Sequence, residues 1–419
     1  MKAYKVITIA LVIILITTGL MTYDFTKSDS VLTDTKGSLV VDGVYEKPSK
    51  QSVAASNEFG LELLKKSFDE TTNTVVSPTS FYLAFAMLYN GASGETKAQM
   101  YKAMNITQDT EAFNEEMKSL QESLLAERQD TVLMLANSIW IRDSFKDFIR
   151  PEFLARNAKY YGAMVEACDF SNSNTVKKIN NWVSENTNGL IDSVISTIDP
   201  MTVMFIINTV YLKAKWQIPF DAASTYSADF YALDGTIRVD TMHKLDRYEF
   251  YSDREIKAIK LPYTDGRSYM LVVLPNQDIQ SFIGNVTDSY LDNIVSNMQS
   301  RRVNLALPKV DIKTEMHPIS ELMELGMVDM FDLRANFGEL AEMAQNGELC
   351  VGDVLHKTVL KIDESGTEAA AVTVIDIRAT GMPIIEEYES MIVNRPFFIA
   401  VIDDEAGIMF TGTIMNPTK

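Results

Sequence analysis

The sequence predicts one α+β domain carried behind an apolar N-terminal segment. Three observations predict it. From Ser52 onward, segments with helical spacing of apolar residues alternate with short β-branched runs bounded by turn residues. No internal repeat and no Pro- or Gly-rich linker divides that region, so it reads as a single unit. At 419 residues and 47.0 kDa the chain is long enough to bury one large core.

The N-terminus reads as a targeting segment. Lys2 and Lys5 precede a charge-free apolar run from Val6 to Met21, which suits a signal h-region or a slightly short membrane anchor. Positive charge before the run and Asp24 after it place the remainder outside the cytoplasm, secreted or anchored to the outer face of the membrane. There is no clear A-x-A cleavage site, so a cleaved signal and a retained anchor (residues 1–22) both stay open. Residues 23–51 are polar and read as a flexible tether. The domain follows, over 52–419.

Within it, Glu58 to Phe68 spaces Phe59, Leu61, Leu63, Leu64 and Phe68 as a helix does. Ser80 to Asn90 predicts a buried helix begun after Pro78 and stopped by Gly91. Asp109 to Arg128 predicts an acidic amphipathic helix, Val132 to Ile141 a strand, and Pro151 to Tyr161 and Val176 to Asn186 helices. Met204 to Ala214 (MFIINTVYLKA) is long and apolar enough for a strand buried on both faces. Tyr248 to Pro262, Tyr269 to Pro275, Val303 to Val310 and Leu355 to Asp363 predict further strands. His317 to Leu325 predicts a helix with Pro318 in its first turn. Phe397 to Asp403 and Ile408 to Ile414 predict a closing hairpin across Asp404 to Gly407.

Composition excludes more than it assigns. The net charge of −19 argues against nucleic-acid or polyanion binding. Cys168 and Cys350 form no CxxC; two buried free thiols are expected, with one disulfide as the alternative. The three histidines, His243, His317 and His356, lie in no HExxH. No G-x-S-x-G, GxxxxGK[ST] or GxGxxG occurs; Gly91-Ala92-Ser93-Gly94-Glu95 lacks the required last glycine. Nothing supports an enzyme, a metal site or a cofactor. Asn105-Ile106-Thr107 and Asn285-Val286-Thr287 are glycosylation sequons.

One stretch, TEAAAVTVI (Thr367 to Ile375), is patterned as a strand yet is too small to anchor a core. Alternate residues of a strand face opposite sides. Thr367, Ala369, Ala371, Thr373, Ile375 and Ile377 are small or aliphatic, whereas Glu368, Asp376 and Arg378 fall in the other set. A hairpin or edge strand is the plain reading.

The surrounding text resembles the serpin family. "VLHKTVLKIDESGTEAAAVT" is similar to its reactive-loop hinge and "NRPFFIAVIDDEAGIMFTGTIMNPTK" to its C-terminal signature. "NTVVSPTSFYLAFAMLYNGASGET", "ANSIWIRDSF", "PEFLARNAKYYGAMVEACDF", "INNWVSENTNGLI", "INTVYLKAKWQIPFD", "LPYTDGRSYMLVVLPN" and "VNLALPKVDIKTE" follow in serpin order, so the resemblance covers about Ser52 to Lys419. It implies the serpin fold: three β-sheets, about eight or nine helices and an exposed reactive-centre loop.

It also implies a function without turnover. Serpins offer the loop to a serine protease; after cleavage the loop inserts as a strand into the large sheet and traps the acyl-enzyme. The hinge carried over from the family comprises Glu364, Gly366, Thr367, Glu368, Ala369, Ala370 and Ala371. Its small residues admit a strand between strands already in place, so an inhibitor is expected. Counting from Glu364 in the usual serpin register puts the reactive bond between Thr380 and Gly381; Arg378–Ala379 is the alternative, suited to a trypsin-like enzyme. The stretch from the counted bond to Asn394-Arg395-Pro396 is longer than in the shorter serpins.

Ser77, Ser80, Asn208 and His356 match the serpin shutter, and Trp216 the breach. Gly366 reads as a pivot. Heparin-binding members carry a basic patch where this chain has the acidic EAFNEEMKSLQESLLAE, so no heparin activation is expected. The partner implied is a protease held in a covalent acyl complex by a monomer, with no cofactor. Three other readings stay open: a non-inhibitory serpin acting as carrier or chaperone, an inhibitor of cysteine proteases, and, against the missing motifs, a hydrolase.

Overall fold

The computed structural model describes residues 7–16, 45–367 and 387–419. Strand β1 (Ile7–Ile16) comes first. Helix α1 (Lys50–Ser67) starts at Ser49, whose hydroxyl accepts from Ser52 N. After β2 (Thr74–Val76), α2 (Pro78–Tyr89) is buried along its whole length. Ser77 caps it, and Pro78 sits where a missing N–H costs nothing. Helices α3 (Gly94–Ala103) and α4 (Thr110–Leu125) precede β3 (Thr131–Arg142), α5 (Pro151–Tyr161), β4 (Met164–Cys168) and α6 (Ser173–Asn186). Strand β5 (Thr202–Lys215) is buried on both faces for nearly all its length, as its continuous apolar run predicts.

Next come β6 (Thr225–Ala232), β7 (Gly235–Ser252), β8 (Ile256–Pro262) and β9 (Ser268–Pro275). The expected single strand from Tyr248 to Pro262 is therefore two. Asp253 breaks it: its Oδ1 accepts from Glu255 N and Ile256 N, which turns the chain. Short helices α7 (Ile279–Asn285) and α8 (Asp288–Ser296) lead to β10 (Gln299–Pro308) and β11 (Val310–Met316). Helix α9 (Ile319–Glu324) begins two residues later than expected, with Pro318 as its cap, outside the first turn. The chain closes with β12 (Leu349–Ile362), β13 (Gly366–Thr367), β14 (Glu389–Ile392), β15 (Phe397–Asp403) and β16 (Gly407–Ile414).

One sheet runs β11-β12-β1-β5-β3-β4, with β13 also on β5. The other strands form a nine-stranded array that forks at β7. One edge of β7 holds β6 near its start and β8 at its end, while β10 lines the opposite edge. The array is thus two sheets sharing one long strand, which with the first makes the expected three. The described residues include nine α-helices. Both cysteines are free thiols, Cys350 buried and Cys168 partly so. No helix among the described residues is long and apolar enough to cross a membrane.

The N-terminal run expected as a leader or anchor contributes β1, parallel to both β12 and β5 and between them. Residues 1–6 and 17–44, which hold the rest of that run and most of the tether, lie outside the described residues.

Candidate functional site

The candidate site lies in the first sheet around the slot between β5 and β12, which β1 fills. At its top the chain leaves β12, turns through Asp363–Gly366 and comes back down as β13. Asp363 and Gly366 exchange both backbone hydrogen bonds, at 3.0 and 3.3 Å. The Asp363 carboxylate fixes the turn by accepting from Ser365 N at 2.8 Å. Gly366 has φ +149, and a Cβ there would sit 2.2 Å from Ala214 O, so only glycine fits.

Residues after β5 capture the carbonyls of this turn. Trp216 Nε1 donates to Asp363 O at 2.9 Å and Trp216 N to Ser365 O at 2.9 Å. Phe220 N donates to Glu364 O at 2.8 Å. The Glu364 carboxylate meets Lys309 Nζ at 2.8 Å. Burial works against its charge, but the hydrogen bond and charge of Lys309 help hold its pKa below the ordinary value.

Strand β13 pairs antiparallel with β5, Gly366 opposite Lys215 and Thr367 opposite Ala214. Thr367 is fully buried, and its hydroxyl lies 2.8 Å from Tyr263 Oη. Tyr263 in turn stacks on Trp216, centroids 4.8 Å apart. Burial pushes the Tyr263 phenol up, so it stays neutral and able to donate. Of the set of small residues, Thr367 is the one described, and it is buried.

Lower in the slot the structure brings Ser77, Ser80, Asn208 and His356 together, all fully buried. Ser77 Oγ caps α2 by accepting from Ser80 N at 3.1 Å, and donates to Met409 O at 2.7 Å. Ser80 Oγ bonds Asn208 Oδ1. Asn208 Nδ2 donates to Asn137 Oδ1 at 2.7 Å across the β3–β5 ladder. Asn137 continues to Gln121 Oε1 at 2.9 Å and Tyr161 O at 2.8 Å. His356 Nε2 accepts from Ser77 N at 3.4 Å, lies 3.1 Å from Thr358 Oγ1, and its ring packs on Phe81 at 4.5 Å. Buried polar groups must find partners, and these find one another.

Sequence reasoning missed Asn137, Thr358, Gln121, Tyr263 and Lys309. The signal for Asn137 was present: an amide inside the apolar run ANSIWI, like Asn208 inside IINTVYL, demands a buried partner. Of the hinge, Glu364, Gly366 and Thr367 are placed; Glu368, Ala369, Ala370 and Ala371 lie outside the described residues. So do Arg378, Ala379, Thr380 and Gly381 of the two candidate reactive bonds.

The family model described as "Serpin (serine protease inhibitor)" matches residues 54–417. The chain belongs to the serpin family. It is 32% identical over 93% of its length to an uncharacterised serpin-like protein of Thermococcus kodakarensis, covering 90% of that relative. It is 31% identical to an alpha-1-antiproteinase 2 of Equus caballus, over 83% of this chain and 82% of the other. Among solved structures it superposes on the thermophilic serpin tengpin in its native state with a TM-score of 0.79 and 31% identity, covering 89% of this chain and 96% of that one. This serpin therefore comes from a family of protease inhibitors, which are not enzymes in the usual sense.

Proposed function

We propose that this serpin is an irreversible, single-use inhibitor of serine proteases that acts outside the cytoplasm as a monomer. The observation that carries the reading is β13. The chain has already turned out of β12 and paired two hinge residues antiparallel with the top of β5. Continued one residue for one residue, that ladder sets Ala379 opposite Thr202, the first residue of β5. The candidate bond Thr380–Gly381 then falls just past the far end of the strand, which supports the counted register over Arg378–Ala379.

In this reading the protease serine Oγ attacks the carbonyl carbon of Thr380. The Thr380–Gly381 peptide bond breaks, the new amine leaves with Gly381 bearing the proton, and an ester joins protease to inhibitor. The freed strand zips down β5, and the attached protease is carried along and distorted before water can attack the ester. About a dozen new backbone pairs, each contributing roughly 0.5–1.5 kcal/mol net, supply on the order of 10 kcal/mol. Ser77, Ser80, Asn208 and His356 form the shutter that opens for the strand, and Trp216 holds the breach through which it enters. The acidic face of α4 makes heparin activation unexpected.

The test is incubation of the chain from Tyr45 onward with trypsin and with an elastase-like protease. An SDS-stable complex and a released peptide beginning at Gly381 are expected. A peptide beginning at Ala379 would move specificity to Arg378. A complex only with cysteine proteases would change the target class, and cleavage with no complex to either class would leave a carrier or chaperone.

A further inference from the structure

We propose that residues Ile7–Ile16 are an intramolecular plug, a strand that occupies the slot between β5 and β12 and keeps the hinge from inserting until it is displaced or removed. The inference rests on the inhibitor reading above and adds a control to it.

The pairing places the competition on particular residues. Strand β1 pairs with β5 from Thr8 opposite Thr202 to Ile16 opposite Tyr211. On its other edge it pairs with β12 from Ile7 opposite Leu349 to Leu15 opposite Thr358. The ladder begun by Gly366 and Thr367 would need the positions from Lys213 down to Thr202 for residues 368–379. All but the upper two, Lys213 and Leu212, lie in the stretch that β1 spans. A strand edge has one row of backbone donors and acceptors, so both segments cannot use it at once. In this arrangement the edge of β5 above β1 is free only from Lys215 to Leu212, four positions, of which β13 takes two.

The sequence suits the role. Seven of the ten residues in ITIALVIILI are β-branched, and none is Gly, Pro or charged. A strand central in a sheet covered on both faces reads as such a continuous apolar run. The same run reads as an export leader, and the two uses are compatible: cutting the leader away would open the slot, so export would arm the inhibitor. Residues 17–44 reach up to about 95 Å if extended, ample for a domain with a radius of gyration of about 21 Å.

The experiment uses the full chain and its double variant V12P/I14P, free of detergent. Proline cannot donate to the ladder, and both positions lie outside the matched domain, so folding of the rest is not at stake. Hydrogen exchange over residues 7–16 reads the plug directly. Thermal melting before and after a protease nicks the segment 368–386 reads insertion. The proposal expects protection of 7–16 in the unaltered chain and little gain in Tm on nicking. In V12P/I14P it expects fast exchange there and a gain of roughly 10–15 °C on nicking. Fast exchange over 7–16 in the unaltered chain, or equal gains in Tm, would overturn it. The two readings fail separately. A V12P/I14P chain that gains Tm on nicking but, offered uncut to proteases, forms no SDS-stable complex keeps the plug and removes the inhibitor. Complexes formed equally by both chains keep the inhibitor and remove the plug.

Discussion

Helix α2 is held at its N-terminus by two regions built on different physics. On one side lies the slot, where Ser77, Ser80, Asn137, Asn208, His356 and Thr358 are buried and satisfy one another. On the other lies the closing hairpin, where Phe397, Phe398, Ile399, Ala400, Met409, Phe410 and Ile414 are buried against apolar neighbours. A hydrogen-bonded set can part and re-pair at little net cost, because each bond nets only about 1 kcal/mol. An interdigitated apolar hairpin cannot part without opening a void. On the proposed mechanism, the sheet would open at a seam where the core is polar and keep a fixed frame where it is not.

The largest effect that would sharpen this contrast is at the top of the seam. Thr367→Arg puts a charge at a fully buried position beside Tyr263. We expect a fall on the order of a hundredfold in the ratio of trapped to cleaved inhibitor, read on denaturing gels, with the unnicked protein still folded. Phe398→Ala tests the frame. Phe398 packs on Phe282 with centroids 5.2 Å apart, and truncation should cost about 3–5 kcal/mol in denaturant unfolding. Equal trapping by the surviving folded protein would confirm that the hairpin is frame alone.

Asn208→Ala removes the link between Ser80 and Asn137. It should cost about 1–3 kcal/mol, less than the hairpin truncation, and alter the rate of insertion after nicking as well. A loss of stability with an unchanged insertion rate would break the comparison, since the polar cluster would then be frame too.

The smallest effect is a pH dependence confined to the hairpin side. Asn57 links the two structures there: its Oδ1 accepts from Ile408 N at 2.7 Å and its Nδ2 donates to Asp288 Oδ1 at 2.7 Å. Burial raises the Asp288 pKa from 3.8 to about 6, against the pull of the Asn57 hydrogen bond. Between those values the folded chain holds a proton that the unfolded chain has released, so stability falls as pH rises from about 4 to 6. Asp288→Asn should abolish that fall, about 1–2 kcal/mol in urea unfolding across the window, and leave trapping unchanged.

Much of the frame was legible because its apolar runs are long and punctuated. Helix α2, strand β5 and the closing hairpin each show one period bounded by Pro, Gly or Asp. The β6–β7 ribbon was legible only from Tyr248 on, because its buried positions change parity, from Val239 and Thr241 to Met242, Tyr248 and Phe250, so no single alternation runs through it. Helices α7 and α8 are too short for a period to emerge. Of the site, Ser77, Ser80, Asn208, His356 and Trp216 were legible through the family resemblance. That Asn137 needs a buried partner was legible; which partner, and the role of Tyr263, were not, because their partners stand far away in sequence and only the folded sheet brings them together. The position of β1 was illegible for a different reason: an apolar run without charge reads alike as leader and as central strand.

The account's central claim is that the hinge zips down β5 after cleavage. Hydrogen exchange over residues 368–379, in the chain from Tyr45 onward and before and after nicking, tests it most directly. The account predicts that these amides change from fast exchange to protection comparable with β5 itself. Fast exchange that persists after cleavage would contradict it.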